Sequence, residues 1–173
     1  MVEVGVRRTT LTDIAKRAGV SRMTLYRRFP DVGGLVRTLM TREFGALLRR
    51  VEEPEPDGVN ARESLVARVI AGTRLLAADP LMRRILDLDA ELMLPYLVQR
   101  LGSTQRLIEQ FVFNHIEAGH ADGSIRPGDS AAQARLVLLT AQSMVLSVRP
   151  ATTDLDFDTL LAELTIFLDA ALA

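Results

Sequence analysis

The stretch from Thr10 to Phe29 reads TLTDIAKRAGVSRMTLYRRF, with the spacing of two short helices joined by a tight turn at Gly19. Thr10 is placed to cap the first helix, its hydroxyl accepting from a free N–H of the first turn. Asp13, three residues on, favours the positive helix end, although Glu or Gln is the more usual partner in a capping box. Leu11, Ile14, Ala15 and Ala18 recur at helical spacing as an apolar stripe. Gly19 takes positive φ at little cost, so it ends the helix and turns the chain, and Val20 is expected to plug the corner. Ser21 caps the second helix, on which Leu25 and Phe29, four apart, face inward.

That arrangement leaves Arg22, Met23, Tyr26 and Arg27 on the outer side of the second helix, with Thr24 and Arg28 at its edges. A short, basic, hydroxyl-bearing helix held across a scaffold helix is suited to the major groove of duplex DNA. Arginine binds guanine O6 and N7 through two hydrogen bonds or clamps a phosphate. Thr10, Tyr26 and the helix start at Ser21 suit phosphate oxygens, which set register without reading sequence. Met23 can touch a thymine methyl group, and both Met23 and Tyr26 can instead serve in packing.

Charge is divided in the same sense. Residues 1–50 hold eleven basic and four acidic side chains, a balance of +7, whereas residues 51–173 carry −8 in a chain of net charge −1. A basic head on an acidic body implies a polyanionic partner for the head alone. An ordinary helical hairpin with a solvated arginine face would account for the periodicity, but not for the turn, the cap and the charge division together.

Taken together, Thr10-x-x-Asp13-Ile14-Ala15, Ala18-Gly19-Val20-Ser21 and Thr24-Leu25-Tyr26-Arg27-Arg28-Phe29 resemble the TetR family of transcriptional regulators. The resemblance implies an all-α homodimer, with an N-terminal helix-turn-helix domain and a C-terminal helical-bundle domain for effector binding and dimerisation. The corresponding division is residues 1–50, with helix 34–51 as connector, and residues 51–173. Three departures from the family pattern stand out. Only MVEVGVRRT precedes Thr10, with Gly5 at the place of the family's Gly-aromatic turn, so the first helix reads as incomplete. Val32 occupies a position where the family often has a phosphate-contacting lysine. Met23 replaces a common glycine, which alters base preference.

Composition bounds the alternatives. There is no cysteine, which removes disulfides and thiolate chemistry. The two histidines, His115 and His120, lie five apart rather than at the i, i+4 spacing of a helical zinc pair, with no evident third ligand. No metal site, cofactor or catalytic residue is therefore expected. Asp87 and Asp89 are two apart on a helix and point to different faces, and Glu52 and Glu53 lie in a loop, so an enzyme is not expected. The N-terminus lacks the apolar core of a signal peptide. The longest apolar tract, Leu136–Val148, is thirteen residues long and interrupted by Thr140, Gln142, Ser143 and Ser147, too short and polar to span a bilayer. A cytoplasmic location follows as the expectation.

Along the body, Glu52 to Gly58 is a loop of acids, prolines and glycine. An amphipathic helix is expected over 61–78. Asp79 is placed to cap a short helix that has Pro80 at its first position and reaches about Leu88. Pro95 restarts a helix to about Ala118 that Gly102-Ser103 can kink or divide, and the next break opens at Gly119. Residues 130–148 are apolar on nearly every face and residues 155–172 carry a wide apolar stripe, so these two helices are expected to meet their copies in a four-helix dimer interface. Two-fold symmetry would then set two reading helices one DNA turn apart.

A family-like body would hold a mostly apolar effector cavity between helices 61–78, 81–88, 95–118 and 130–148. Phe111 and His115 share a helix face, Gln142 and Ser143 need partners inside an apolar helix, and Met93 and Tyr96 flank the Pro95 break. Met93, Tyr96, Phe111, His115 and Gln142 are accordingly the candidate contacts for a small, largely apolar effector, although His115 and Gln142 also suit purely structural hydrogen bonds. The leading expectation is a repressor that binds a palindromic operator as a homodimer and is released by that effector. The alternative is a helical dimerisation or adaptor module that no longer binds DNA.

Overall fold

The computed structural model describes residues 9–51, 58–88, 90–93 and 99–173, and all regular structure among them is helical. The elements are α1 (Leu11–Ala18), α2 (Arg22–Arg28), α3 (Val32–Val51), α4 (Ala61–Ala78), α5 (Pro80–Leu88), a 3₁₀ turn (Ala90–Met93), α6 (Ser103–Asp122), α7 (Ser130–Leu146), the short α8 (Val148–Ala151) and α9 (Phe157–Leu172).

Side chains start most of these helices. Asn60 Oδ1 accepts from the Glu63 N–H at the start of α4 (2.9 Å), and Asp79 Oδ1 accepts from Met82 in α5 (2.8 Å). Asp129 does the same for Ala132 in α7 (2.9 Å), and Asp156 for Thr159 in α9 (3.1 Å). Each bond satisfies one of the orphan donors that every helix start exposes.

The main core lies where α4, α6, α7 and α9 meet. Leu65, Ile116, Ala134, Leu161 and Leu168 are all buried there, and Ile125 closes it from the loop after α6. Burial of a side chain of the Leu or Ile kind is worth about 1.5–3 kcal/mol. A smaller cluster of Phe44, Met82 and Val145 ties α3 to α5 and α7.

The structure alters the sequence reading in several places. Of the two outcomes expected at Gly102-Ser103, division is the one observed: residues 99–102 are not helical, and α6 begins at Ser103. Gly102 is extended there, and its N–H donates to Gln105 Oε1 (2.7 Å), which starts a new helix. Nor does the chain break at Gly119. The helix continues to Asp122, and Gly123 takes the left-handed cap at φ 75°. Gly119 is buried inside α6 because the chain folds back over it: Ile125 donates its N–H to the Gly119 carbonyl (3.0 Å), and a Cβ at Gly119 would overlap the Ile125 side chain. Helix α7 stops at Leu146, and Ser143 lies on its exposed side rather than within the core.

Candidate nucleic-acid interface and effector cavity

The N-terminal helix pair is held by local chemistry. Thr10 and Asp13 form a complete capping box. The Asp13 N–H donates to Thr10 Oγ1 (3.1 Å), while the Thr10 N–H (3.3 Å) and hydroxyl (2.6 Å) donate to Asp13 Oδ2. Aspartate thus fills the place where Glu or Gln is more usual. Bonds from the Thr10 hydroxyl and N–H, with Arg17 and Lys16 nearby, hold the Asp13 carboxyl below its ordinary pKa. Gly19 has φ 66° and returns its N–H to the last turn of α1, a backbone state that costs other residues about 1–2 kcal/mol. Ser21 caps α2, with the Thr24 N–H donating to Ser21 Oγ (3.1 Å) and the two hydroxyls 2.8 Å apart. Val20 does not plug the corner. It is 42% exposed.

No residue of α2 is buried. Thr10, Ser21, Arg22, Met23, Thr24, Tyr26, Arg27 and Arg28 are all exposed on one basic head, Met23 at 79% and Tyr26 at 51%. Leu25 and Phe29, the two inward positions, are half-buried. The Arg28 guanidinium lies 5.9 Å from the Phe29 ring centre, within cation–π range. Seven residues make α2 about 10 Å long, a length the major groove accepts.

A cavity of about 150 Å³ lies between α3, α4, α5, α6 and α7. Phe44, Val69, Leu76, Met82, Ile108 and Val145 supply much of its apolar wall. Two of the five expected contacts, Phe111 and Gln142, line it. Gln142 Oε1 also accepts a hydrogen bond from Gln105 Nε2, so it bridges α7 to α6 at the cavity wall. His115 is not among the lining residues. Its Nδ1 lies 2.9 Å from the Phe111 carbonyl, and its ring packs on Phe111 with centroids 4.4 Å apart. Met93 belongs to the 3₁₀ turn, but its side chain, like Tyr96 as a whole, lies outside the described residues.

Sequence reasoning missed the polar part of the wall. Arg37, Thr41, Ser103, Thr104, Gln105 and Arg68 all line the cavity. The signal was present on α3, where Arg37, Thr41, Phe44 and Val51 recur at offsets of four, seven and fourteen and so share one face. The groups form two distinct clusters. Thr41 Oγ1 lies 2.9 Å from Ser103 Oγ and 3.3 Å from Thr104 Oγ1, joining α3 to the start of α6. Arg68 donates to the Val51 carbonyl at the end of α3 (2.5 Å) and to Ser64 Oγ (3.1 Å).

An exposed basic helix-turn-helix leading into a helical body is the architecture of a DNA-binding transcriptional regulator, and comparison with known proteins gives the same class. The family of bacterial regulatory proteins named for TetR matches residues 1–39. An uncharacterized HTH-type transcriptional regulator of Mycobacterium bovis is 36% identical over 165 residues, covering 95% of this chain and 84% of the relative. Among solved structures, the transcriptional regulator FadR from Bacillus subtilis, determined with stearoyl-CoA, superposes with a TM-score of 0.73 at 20% identity, covering 99% of this chain and 93% of that one. GusR of Salmonella enterica gives 0.67 at 25% identity, covering 99% and 88%. The chain belongs to the TetR family of transcriptional regulators.

Proposed function

We propose that this protein is a ligand-responsive repressor that binds a palindromic operator as a homodimer and is released by a small, largely apolar effector. One observation carries the reading: α3 directly follows the exposed reading helix and also forms a wall of the cavity through Met40, Thr41 and Phe44. Any occupant that displaces α3 therefore acts on the head. An effector that favours the displaced arrangement would spoil the half-site spacing of two heads, about 34–36 Å, and release the operator. The B. subtilis FadR structure in complex with stearoyl-CoA, a long acyl chain on an anionic carrier, supports an effector with a large apolar part for this fold. Thr10, Ser21, Arg22, Met23, Thr24, Tyr26, Arg27 and Arg28 are the proposed DNA contacts. Phe111 and Gln142 are proposed effector contacts from the cavity wall. Met93, Tyr96 and His115 remain proposals from sequence alone.

Dimerisation is assigned to α7 and α9. Leu136, Leu139, Ile166 and Phe167 are 44–65% exposed on their outer side, a large apolar surface for a lone protomer. No described helix is long and apolar enough to cross a membrane, and the proposed site of action is the cytoplasm. Fluorescence polarisation on palindromes from the gene's own upstream region tests the reading. Binding should fall steeply with salt and exceed binding to random duplex by at least about 10³-fold. Equal affinity for both duplexes would instead favour the adaptor reading.

A further inference from the structure

We infer that the effector is an amphipathic anion, its charged head held at the Arg37 end of the cavity and its hydrocarbon part seated against Phe44, Met82 and Val145. The inference rests on the proposed role of this cavity as the effector site and adds to it a chemical class and an orientation.

The two ends of the cavity differ. Arg37 and Val51 are fourteen residues apart on α3, about 21 Å along the helix axis. At the Val51 end, the Arg68 guanidinium is drawn onto the terminal carbonyl of α3 and onto Ser64 Oγ, two neutral acceptors that fix it in a structural role. At the other end, the Arg37 side chain is half-exposed. Its one charged neighbour among the described residues is Asp31, at 4.0 Å. That separation is well beyond the 2.7–2.9 Å of a charge-assisted hydrogen bond, and Asp31 Oδ1 already accepts from the Gly34 N–H at 2.6 Å.

Three hydroxyls line the same cavity as Arg37: Thr41, one turn further along α3, with Ser103 and Thr104 from α6. The Thr41 hydroxyl donates to the Arg37 carbonyl (3.0 Å), and the Ser103 and Thr104 hydroxyls can rotate toward a ligand. A cavity wall that carries an arginine and three hydroxyls suits a carboxylate or phosphate, to which the half-exposed Arg37 side chain can turn. Beyond these groups the wall is largely apolar, and Phe44, Met82 and Val145 are at most 5% exposed. An apolar void of about 150 Å³ accepts a group of about benzene's size, so a medium-chain carboxylate is a fitting probe.

The experiment titrates the full chain with octanoate, octanol and octylammonium by calorimetry, and follows operator release by polarisation. Octanoate should bind at least ~10-fold more tightly than octanol, as expected of a hydrogen-bonded charge, and octylammonium more weakly than either. Arg37→Met should remove the octanoate preference while leaving octanol binding unchanged. Ala141→Leu, which narrows the apolar part, should weaken both, with circular dichroism confirming that each variant is folded.

Equal binding of octanoate and octanol would overturn the head site and leave the apolar-effector reading intact. Loss of the preference in Arg68→Met but not in Arg37→Met would overturn the orientation. An equal loss of both ligands in Arg37→Met would reduce Arg37 to a structural part. Octanoate that binds as described without releasing operator would support the site and overturn the regulatory reading. Failure of all three probes to bind would overturn the head site, while the operator assay decides the regulatory reading separately.

Discussion

Asp122 closes two helices at once. At the end of α6, its Oδ2 accepts from the Ala61 N–H at the start of α4 (2.9 Å) and its Oδ1 from the Ser124 N–H (2.8 Å). The Ser124 hydroxyl, followed by the N–H groups of Ala61 and Ser124, holds this carboxyl below its ordinary pKa of 3.8. A carboxyl lowered in the folded state stabilises the fold above its unfolded pKa, and that contribution is lost as pH falls through the lowered value. Asp122→Asn should therefore be less stable than the parent at neutral pH, and the gap should close below about pH 3.8, as read by urea unfolding at a series of pH values. At the reading helix, Arg22→Ala should cost about 1–3 kcal/mol of operator discrimination, measured by competition between operator and random duplex. An unchanged ratio would assign Arg22 to the phosphate backbone or to solvent. Such single residues were legible in part. Thr10, Ser21, Asp79 and the arginines of α2 announce themselves because capping and charge are local. Arg37 and Thr41 share a helix face with Phe44 and Val51, but that spacing alone does not tell a face that meets water from one that meets a cavity.

At the scale of the element, α2 is the most vulnerable part. Seven residues are too few for a helix to stand alone, and α2 buries none of them, so its start at Ser21 matters more than that of any core helix. Ser21→Ala should cost about 1 kcal/mol locally. It should speed amide exchange over 22–28 and weaken operator binding without lowering the melting temperature of the body. Exchange unchanged at those amides would mean that the rest of the head, not the cap, holds the helix. Element bounds were read well where a cap or proline marks them, as over 61–78 and 80–88. At Gly102-Ser103 the helix is divided, as the sequence allowed, but Gly119 was misread as a break, because only tertiary structure distinguishes a glycine that ends a helix from one packed inside it.

For the whole molecule, the proposed assembly rests on the outer faces of α7 and α9. Apolar character on nearly every side of α7 was plain in the sequence, and its inward part, Ala134, Val137, Leu138 and Val145, is buried within one chain. Leu136 and Leu139 of α7 and Ile166 and Phe167 of α9 are all exposed. Leu136→Glu combined with Phe167→Glu should halve the mass seen by light scattering at micromolar concentration and abolish tight operator binding while retaining helicity. A parent chain that is already monomeric would refute the symmetric arrangement. The fold-back at Gly119 has a different kind of reach. Because that position and Ile125 occupy mutually exclusive space, their substitutions are epistatic: alanine at 119 is harmful in this background and becomes tolerable once 125 has been trimmed to a smaller side chain. A side chain at 119 should therefore be reached most readily in descendants where 125 has already become smaller.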